Sequence, residues 1–393
     1  MIKKRILYSI ILSVAMLLTQ ACVKEIIDAK HNGKASLSFA IPTSRGSGDD
    51  PEFVMEKLRV IIFESTSLGV ETGIPMLNKL YFPDAEVFVF NEVVPVGHLN
   101  IYIIANETDN LGDLSLISAS STLRAAMLNY TTTPGNNVLP PPNGLPSIPA
   151  VLMYSEYKAA KVDLDGVLTH HQAKIGSGGE TVLLVDRTIA KITVHINCDF
   201  ASMLGNTKIS LTGARIVSMP YYPALLANQV YTGSASTDYF NSASLSLASY
   251  ITSVLDPAPP NTDVIGFKTI PSGFTFYMPE SVPGAPGASN RGRYTYLELT
   301  GVSVGTVPVL NLLYKVPLGD GLGITVGATE YTADYLLDNY ATVPASVLTV
   351  SRNTHYNLTL NITGLGMREA LEVIVTAKAW NPTIDLIKDI EYR

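Results

Sequence analysis

Charge is scarce in this chain. Only 16% of its 393 residues are Asp, Glu, Lys or Arg, while 47% are hydrophobic. That balance excludes a disordered chain, which carries too few apolar side chains to offset the entropy of ordering. Cysteine is scarcer still. There are two, Cys22 and Cys198, so no disulfide framework exists, and no intrachain bridge remains if Cys22 is modified. A chain of this length must then be held by its core, and it is long enough to bury one. Beyond the first residues no apolar run approaches the roughly 20 residues that a membrane-spanning helix needs. Base is outnumbered by acid, with a formal net charge of −7, so the chain suits polyanions poorly and no nucleic-acid partner is expected. What is plentiful is Tyr (20), Gly (29) and Pro (24), which together with Val and Thr fit short strands joined by turns.

Residues 1–22 read MIKKRILYSIILSVAMLLTQAC. A basic start (Lys3, Lys4, Arg5), an apolar run from Ile6 to Leu18 and a small residue, Ala21, make the layout of a secretory signal. Removing residues 1–21 takes away three positive charges, so the mature value is −7 − 3 = −10. Cys22 directly after the leader resembles a bacterial lipobox, in which that Cys is lipidated. Thr19 and Gln20 depart from the usual box, and an ordinary signal peptide with an incidental Cys is the alternative.

Downstream the period is that of strands. In Ala35–Ile41 (ASLSFAI), Leu37, Phe39 and Ile41 share one face, and Pro42 ends the run. Residues 43–51 (TSRGSGDDP) form a polar loop around Arg45 and Gly46. Further strands are expected at 58–63, 86–90, 99–104, 181–185, 189–196, 208–218, 272–278, 294–304, 307–316, 355–362 and 371–380. Short helices are expected at 120–129, capped by Ser120 or Ser121 with Leu123, Ala126 and Met127 on one face, and at about 238–254. Residues 133–150, rich in Pro, Asn and Gly, read as a long loop. ASLSFAI followed by LRVIIF is echoed by AKITVHI followed by ISLTGARIV, which suggests two similar sandwich domains meeting near residue 186.

Chemistry-bearing motifs are weak. Gly301-Val302-Ser303-Val304-Gly305 matches a nucleophile elbow, but that elbow needs a strand, a turn and a helix, and both flanks here read as strands. Gly319-Asp320-Gly321-Leu322-Gly323 lacks a surrounding βαβ unit and reads as a glycine-rich hairpin loop. His170 and His171 are adjacent, so on a strand they would point to opposite faces as an exposed pair. No H-x-x-x-H or C-x-x-C spacing exists. Asp163-Leu164-Asp165-Gly166 opens like a calcium loop without its closing Glu and reads as a turn. Asn106, Asn129, Asn357 and Asn361 begin N-x-[ST] matches read as coincidences of polar turns. No catalytic residue, metal site or cofactor is expected, and an enzyme ranks lowest among the readings.

Five segments in order resemble the FimA-like fimbrillins, the type V pilin family of Bacteroidia. They are the leader ending at Cys22, ASLSFAI with the Arg45 loop and MEKLRVIIF, then GHLNIYIIANE at 97–107, DRTIAKITVHI at 186–196, and SRNTHYNLTLNITGLG at 351–366 with VIVTAKAW at 373–380. The resemblance implies an all-β fold with one or two short helices, built as two transthyretin-like β-sandwich domains. It divides the chain into a signal peptide (1–21), a lipidated propeptide with the first strand (22–45), an N-terminal sandwich (46–185), a C-terminal sandwich (186–380) and a donor-strand candidate (381–393). It also implies an outer-membrane lipoprotein cut after Arg45, before Gly46. The strand carrying Leu37, Phe39 and Ile41 then leaves, and a neighbour's C-terminal strand fills its place. The partners are other fimbrial subunits, self or related, and the outer membrane before maturation.

The tail supports that role by pattern. In Thr383–Arg393, one strand face carries Ile384, Leu386, Lys388, Ile390 and Tyr392, and the other is polar apart from Ile387. A final strand paired within its own domain is the competing reading of the tail. At the level of function, the alternatives are a tip adhesin or surface lipoprotein that binds glycan or protein on host or bacterial surfaces, and an anchor subunit that keeps its lipid.

Overall fold

The computed structural model describes residues 33–42, 55–84, 87–107, 111–119, 121–123, 151–176, 179–198, 208–220, 239–241, 244–247, 268–269, 274–286, 294–304, 310–323, 325–326, 329–362 and 371–379. These form an all-β structure with few, short helices.

The first half carries β1 (Lys34–Pro42), β2 (Leu58–Ser65), β3 (Glu71–Tyr81), β4 (Val87–Pro95), β5 (Gly97–Ala105), β6 (Met153–Val162), β7 (Leu168–Thr169), β8 (Lys174–Ile175), β9 (Thr181–Val182) and β10 (Asp186–Arg187). They make two sheets. One has the order β4-β1-β9-β8, and the other β10-β6-β5-β2-β3 with β7 on β6. Between them lies a cluster that includes Leu37, Phe39, Ile41, Leu58, Val60, Ile62, Phe90, Leu99, Ile101, Ile103 and Leu183. β2 reads LRVIIF without alternation because both of its faces are covered. Ile61 and Phe63 face a second layer made with Tyr102, Ile104, Leu111, Leu114 and Leu123.

The second half carries β11 (Ile189–Cys198), β12 (Lys208–Val217), β13 (Met219–Pro220), β14 (Tyr239–Phe240), β15 (Leu245–Ser246), β16 (Lys268–Thr269), β17 (Phe274–Pro279), β18 (Tyr296–Val304), β19 (Asn311–Pro317), β20 (Thr325–Val326), β21 (Thr329–Glu330), β22 (Thr354–Ile362) and β23 (Leu371–Ala379). Two short helices, α1 (Ala333–Asn339) and α2 (Ala345–Leu348), precede β22. A sheet containing β16-β11-β22-β23, with β17 on β11, faces the sheet β15-β12-β18-β19. Ile192, Val194, Ile216, Leu297, Leu299, Val316, Leu358 and Leu360 fill the space between.

Two helix expectations fare differently. The helix at 238–254 is replaced by β14 and β15 over the described residues, because Gly213 and Ala214 pair with Ser246 and Leu245 and carry Leu247 into the core. Tertiary pairing outweighs local propensity there. Residues 121–123 are helical, and most of the expected 120–129 helix lies outside the described residues. The 301–305 motif is no elbow. Ser303 sits in β18 opposite Ile209, and β18 returns antiparallel into β19. In the 319–323 turn, a Cβ on Gly319 would lie 2.2 Å from the Val347 carbonyl oxygen, so α2 can approach only a glycine there.

Asn106 shows why one of the N-x-[ST] matches belongs to the fold. It follows β5 at φ 58°, is buried, and its Oδ1 accepts from the Glu56 amide at 2.8 Å. Its Nδ2 donates to the Val151 carbonyl at 2.9 Å. Asn tolerates this left-handed backbone while bridging two loops. Asn106→Ala loses both bonds and is expected to cost about 2–4 kcal/mol, read as a lower urea midpoint at unchanged slope. A midpoint equal to wild type would show that the bridge does not matter.

Candidate functional site

β1 alternates as its sequence requires. Leu37, Phe39 and Ile41 are at most 1% exposed, with Ala35 beside them, while Lys34, Ser36 and Ser38 face outward. Burying the three large side chains contributes about 5–9 kcal/mol as an upper bound, at roughly 1.5–3 kcal/mol each.

The two edges of β1 are held unequally. Along one edge it pairs antiparallel with β4 over its whole length, with Ala35 opposite Val94, Leu37 opposite Glu92, Phe39 opposite Phe90 and Ile41 opposite Phe88. Phe39 stacks on Phe90 with centroids 4.4 Å apart. Tyr81 of β3 closes the row, edge-on to Phe90 at 6.1 Å and tilted against Phe88 at 4.9 Å. Along the other edge the ladder with β9 is a single parallel pair, Ala40 with Val182, continued by the Leu183 amide donating to the Ala40 carbonyl at 2.9 Å. Nearer the start of β1, the β6–β7 turn presses in. Asp163 Oδ1 accepts from the Asp165 and Val167 amides at 2.9 Å and shapes that turn. Gly166, at φ +79°, lies so close that a Cβ would sit 2.0 Å from the Ser36 carbonyl oxygen. Loss of β1 would open a slot walled by β4 and β9, with an apolar floor and a row of unpaired backbone groups on β4.

Glu92 is the one charged side chain in the β4 row that faces this slot. Its Oε1 accepts from Lys79 Nζ and from Tyr81 Oη, the latter at 3.0 Å, so β3 and β4 are tied across the edge of the sandwich. The lysine bond, seconded by the tyrosine, holds the Glu92 carboxyl below its usual range. Burial, seconded by Glu92, pushes the Tyr81 hydroxyl up. The expected strand at 86–90 stops short of Glu92. The legible signal was a charge in phase with Phe88, Phe90 and Val94.

The histidine pair departs from expectation. His170 and His171 lie in the β7–β8 connection rather than on a strand, so their rings approach to 4.3 Å instead of pointing apart. His170 is half-buried, edge-on to Tyr157 at 5.3 Å. Its Nε2 bonds the Lys158 carbonyl at 3.0 Å, and its Nδ1 accepts from the Gln172 amide at 3.2 Å. This connection leads into the β8–β9 hairpin that flanks the lightly held edge of β1.

The remaining site expectations, Cys22, Arg45, Gly46, Ile384, Leu386 and Ile390, lie outside the described residues. Among the described residues, no group of three or more His, Cys, Asp or Glu could hold a metal ion, and no helix is long and apolar enough to cross a membrane.

No family sequence profile matches the chain, and no curated protein matches it in sequence. Solved structures do match. The tip fimbrial protein Mfa3 of Porphyromonas gingivalis, with a C-terminal truncation, is 16% identical over 88% of this chain and 99% of its own, with a TM-score of 0.55. A fimbrilin (FimA) from Porphyromonas gingivalis W83 is 18% identical over 88% and 98%, with a TM-score of 0.51. The chain has the fimbrillin fold. The likeness extends over most of the chain.

Burial and the neighbouring His171 hold the His170 pKa below its ordinary 6.5. The unfolded chain then binds the extra proton first, so stability is full above that value and falls as pH drops below it. The loss in melting temperature from pH 7.5 to pH 5 should be larger in wild type than in His170→Asn. Equal losses would show that His170 does not sense this window.

Proposed function

We propose that this protein is a structural subunit of a bacterial cell-surface fimbrium, assembled by strand exchange. The observation that carries this reading is the seating of β1, a strand early in the chain, fully paired to β4 on one edge and barely held on the other. In this reading Cys22 is lipidated after export, and the precursor is anchored at the outer membrane. Cleavage after Arg45 frees Gly46 as the new N-terminus and lets β1 depart. The tail of a neighbouring subunit, through Ile384, Leu386 and Ile390, enters the vacated slot, with backbone pairing fixing its course. The partners are other fimbrial subunits, self or related, with host or bacterial surface ligands reached from the finished fibre. The fimbrillin fold supports the reading, since the solved proteins that share it include a fimbrilin and a tip fimbrial protein. The apolar slot supports it physically.

Two outcomes test it. Limited trypsin should cut after Arg45 and spare Arg59, which is 6% exposed and grips Glu107 through Nε at 2.6 Å and Nη2 at 2.8 Å. Deleting 383–393 should leave a folded monomer, with a melting temperature near that of the intact chain, that no longer forms fibres after cleavage. Unfolding of the truncated chain would place the tail in its own core. Fibres from the truncated chain would show that another segment joins the subunits.

A further inference from the structure

The slot has an internal asymmetry that specifies how a strand must enter it. β1 offers it four side chains, Ala35, Leu37, Phe39 and Ile41, and β4 answers with Val94, Glu92, Phe90 and Phe88. Three of the four seats face apolar side chains, and the Leu37 seat faces a carboxylate. In the occupied slot Leu37 leaves that carboxylate to Lys79 and Tyr81. Both bonds fall on Glu92 Oε1, and Oε2 accepts none among the described residues.

The apolar face of the tail also contains one charge. Its five side chains are Ile384, Leu386, Lys388, Ile390 and Tyr392, with Lys388 in the middle. Any four consecutive members of that row include Lys388. In either direction it therefore falls at the Leu37 seat or the Phe39 seat. At the Phe39 seat an ammonium group would be buried against Phe90 with no acid opposite, a placement with a large desolvation cost. The Leu37 seat is as deeply buried, but there the ammonium lies directly across the ladder from Glu92, at the spacing where opposite charges on paired strands attract and offset that cost.

We infer that Glu92 sets the register of strand exchange by pairing with Lys388 from the tail of a second copy of this chain. The strand runs in the direction of β1, which preserves the antiparallel ladder with β4. Leu386 takes the Ala35 seat, Lys388 the Leu37 seat, Ile390 the Phe39 seat over Phe90, and Tyr392 the Ile41 seat opposite Phe88 and beside Tyr81. A one-seat slip in that direction buries the lysine against Phe90, so the charge pair rejects wrong registers as well as supporting the right one. Lys79, seconded by Tyr81, holds the acceptor carboxyl below its usual range, which favours its charged form. This inference rests on the strand-exchange reading.

Fibre formation by the full chain after cleavage at Arg45 tests it. Lys388→Glu should reduce the assembly rate by about tenfold or more, the scale of close interfacial charge pairs. Glu92→Lys combined with Lys388→Glu should recover most of that loss. Glu92→Gln, which can keep the Tyr81 bond and so spares the fold, should fall between wild type and Lys388→Glu. Assembly of Lys388→Glu at the wild-type rate would overturn the pairing. In a Cys198→Ser background, Val94→Cys should form disulfide-linked dimers with Leu386→Cys and not with Ile390→Cys. Linkage to position 390 instead would overturn the direction and register. Fibres that form with the tail deleted would refute strand exchange itself, a result that charge reversal cannot mimic.

Discussion

The ladder between β1 and β4 is the interaction on which the first half of the molecule depends. It places Phe39 on Phe90, seals the core between two sheets, and brings Glu92 to the edge where Tyr81 and Lys79 reach it. Strands within a sheet ordinarily share their hydrogen bonds between two neighbours. Here nearly all of the bonding of β1 lies on one side, and the other side has one parallel pair and a glycine turn pressed against a carbonyl. β1 lies inside the sheet, between β4 and β9, so its withdrawal would divide that sheet into β4 on one side and the β9-β8 hairpin on the other. Among the described strands β4 pairs with β1 alone, so without it β4 would be held by its side-chain row against the core and by the Glu92 bonds to Lys79 and Tyr81 of β3.

The junction between the two halves is tied by a separate set of bonds away from β1. The segment from Asp186 to Ile189 leaves the first core and starts the second. Thr188 fixes it to the Leu152 carbonyl through its amide at 3.1 Å and its hydroxyl at 2.9 Å. Asn353, from the turn before β22, answers from the other side. Its Nδ2 donates to Asp186 at 2.9 Å and its amide donates to the Ile189 carbonyl at 2.9 Å. Arg352 beside it is paired with Glu280 at 3.0 Å in a buried setting. Breaking one partner of such a pair is costly, so the junction favours one arrangement. The second core, built on the parallel pair of β11 and β22, contains none of the slot residues.

Much of this was legible in the sequence, for definite reasons. β1, β5, β11, β12, β22 and β23 announce themselves because one face is apolar or both are buried, and period-2 patterns survive without context. β3 escaped notice because its middle, Gly73-Ile74-Pro75-Met76, bulges away from β2, breaking the alternation and leaving Ile74 exposed. Residues 245–247 read as helix because Ser, Ala and Leu suit one, and only the pairing with β12 decides otherwise. The histidines misled because adjacency implies opposite faces only on a strand. At the slot, Leu37, Phe39 and Ile41 were readable from alternation. Glu92 shows in the sequence only as a charge in phase with Phe88, Phe90 and Val94, and Gly166 not at all, since their roles arise from what stands across from them: Leu37 for one, the Ser36 carbonyl for the other.

The strand-exchange reading makes β1 removable, with the facing edges of β4 and β9 exposed by its loss and the other ladders intact. Hydrogen exchange on the intact chain, on the chain cleaved at Arg45, and on assembled fibres tests it most directly. The account predicts that amides of residues 87–95 lose protection when β1 departs and regain it in the fibre, while those of β11 and β22 stay protected throughout. Protection of β4 that is unchanged by the loss of β1, or collapse of protection across β2 and β5 as well, would contradict it.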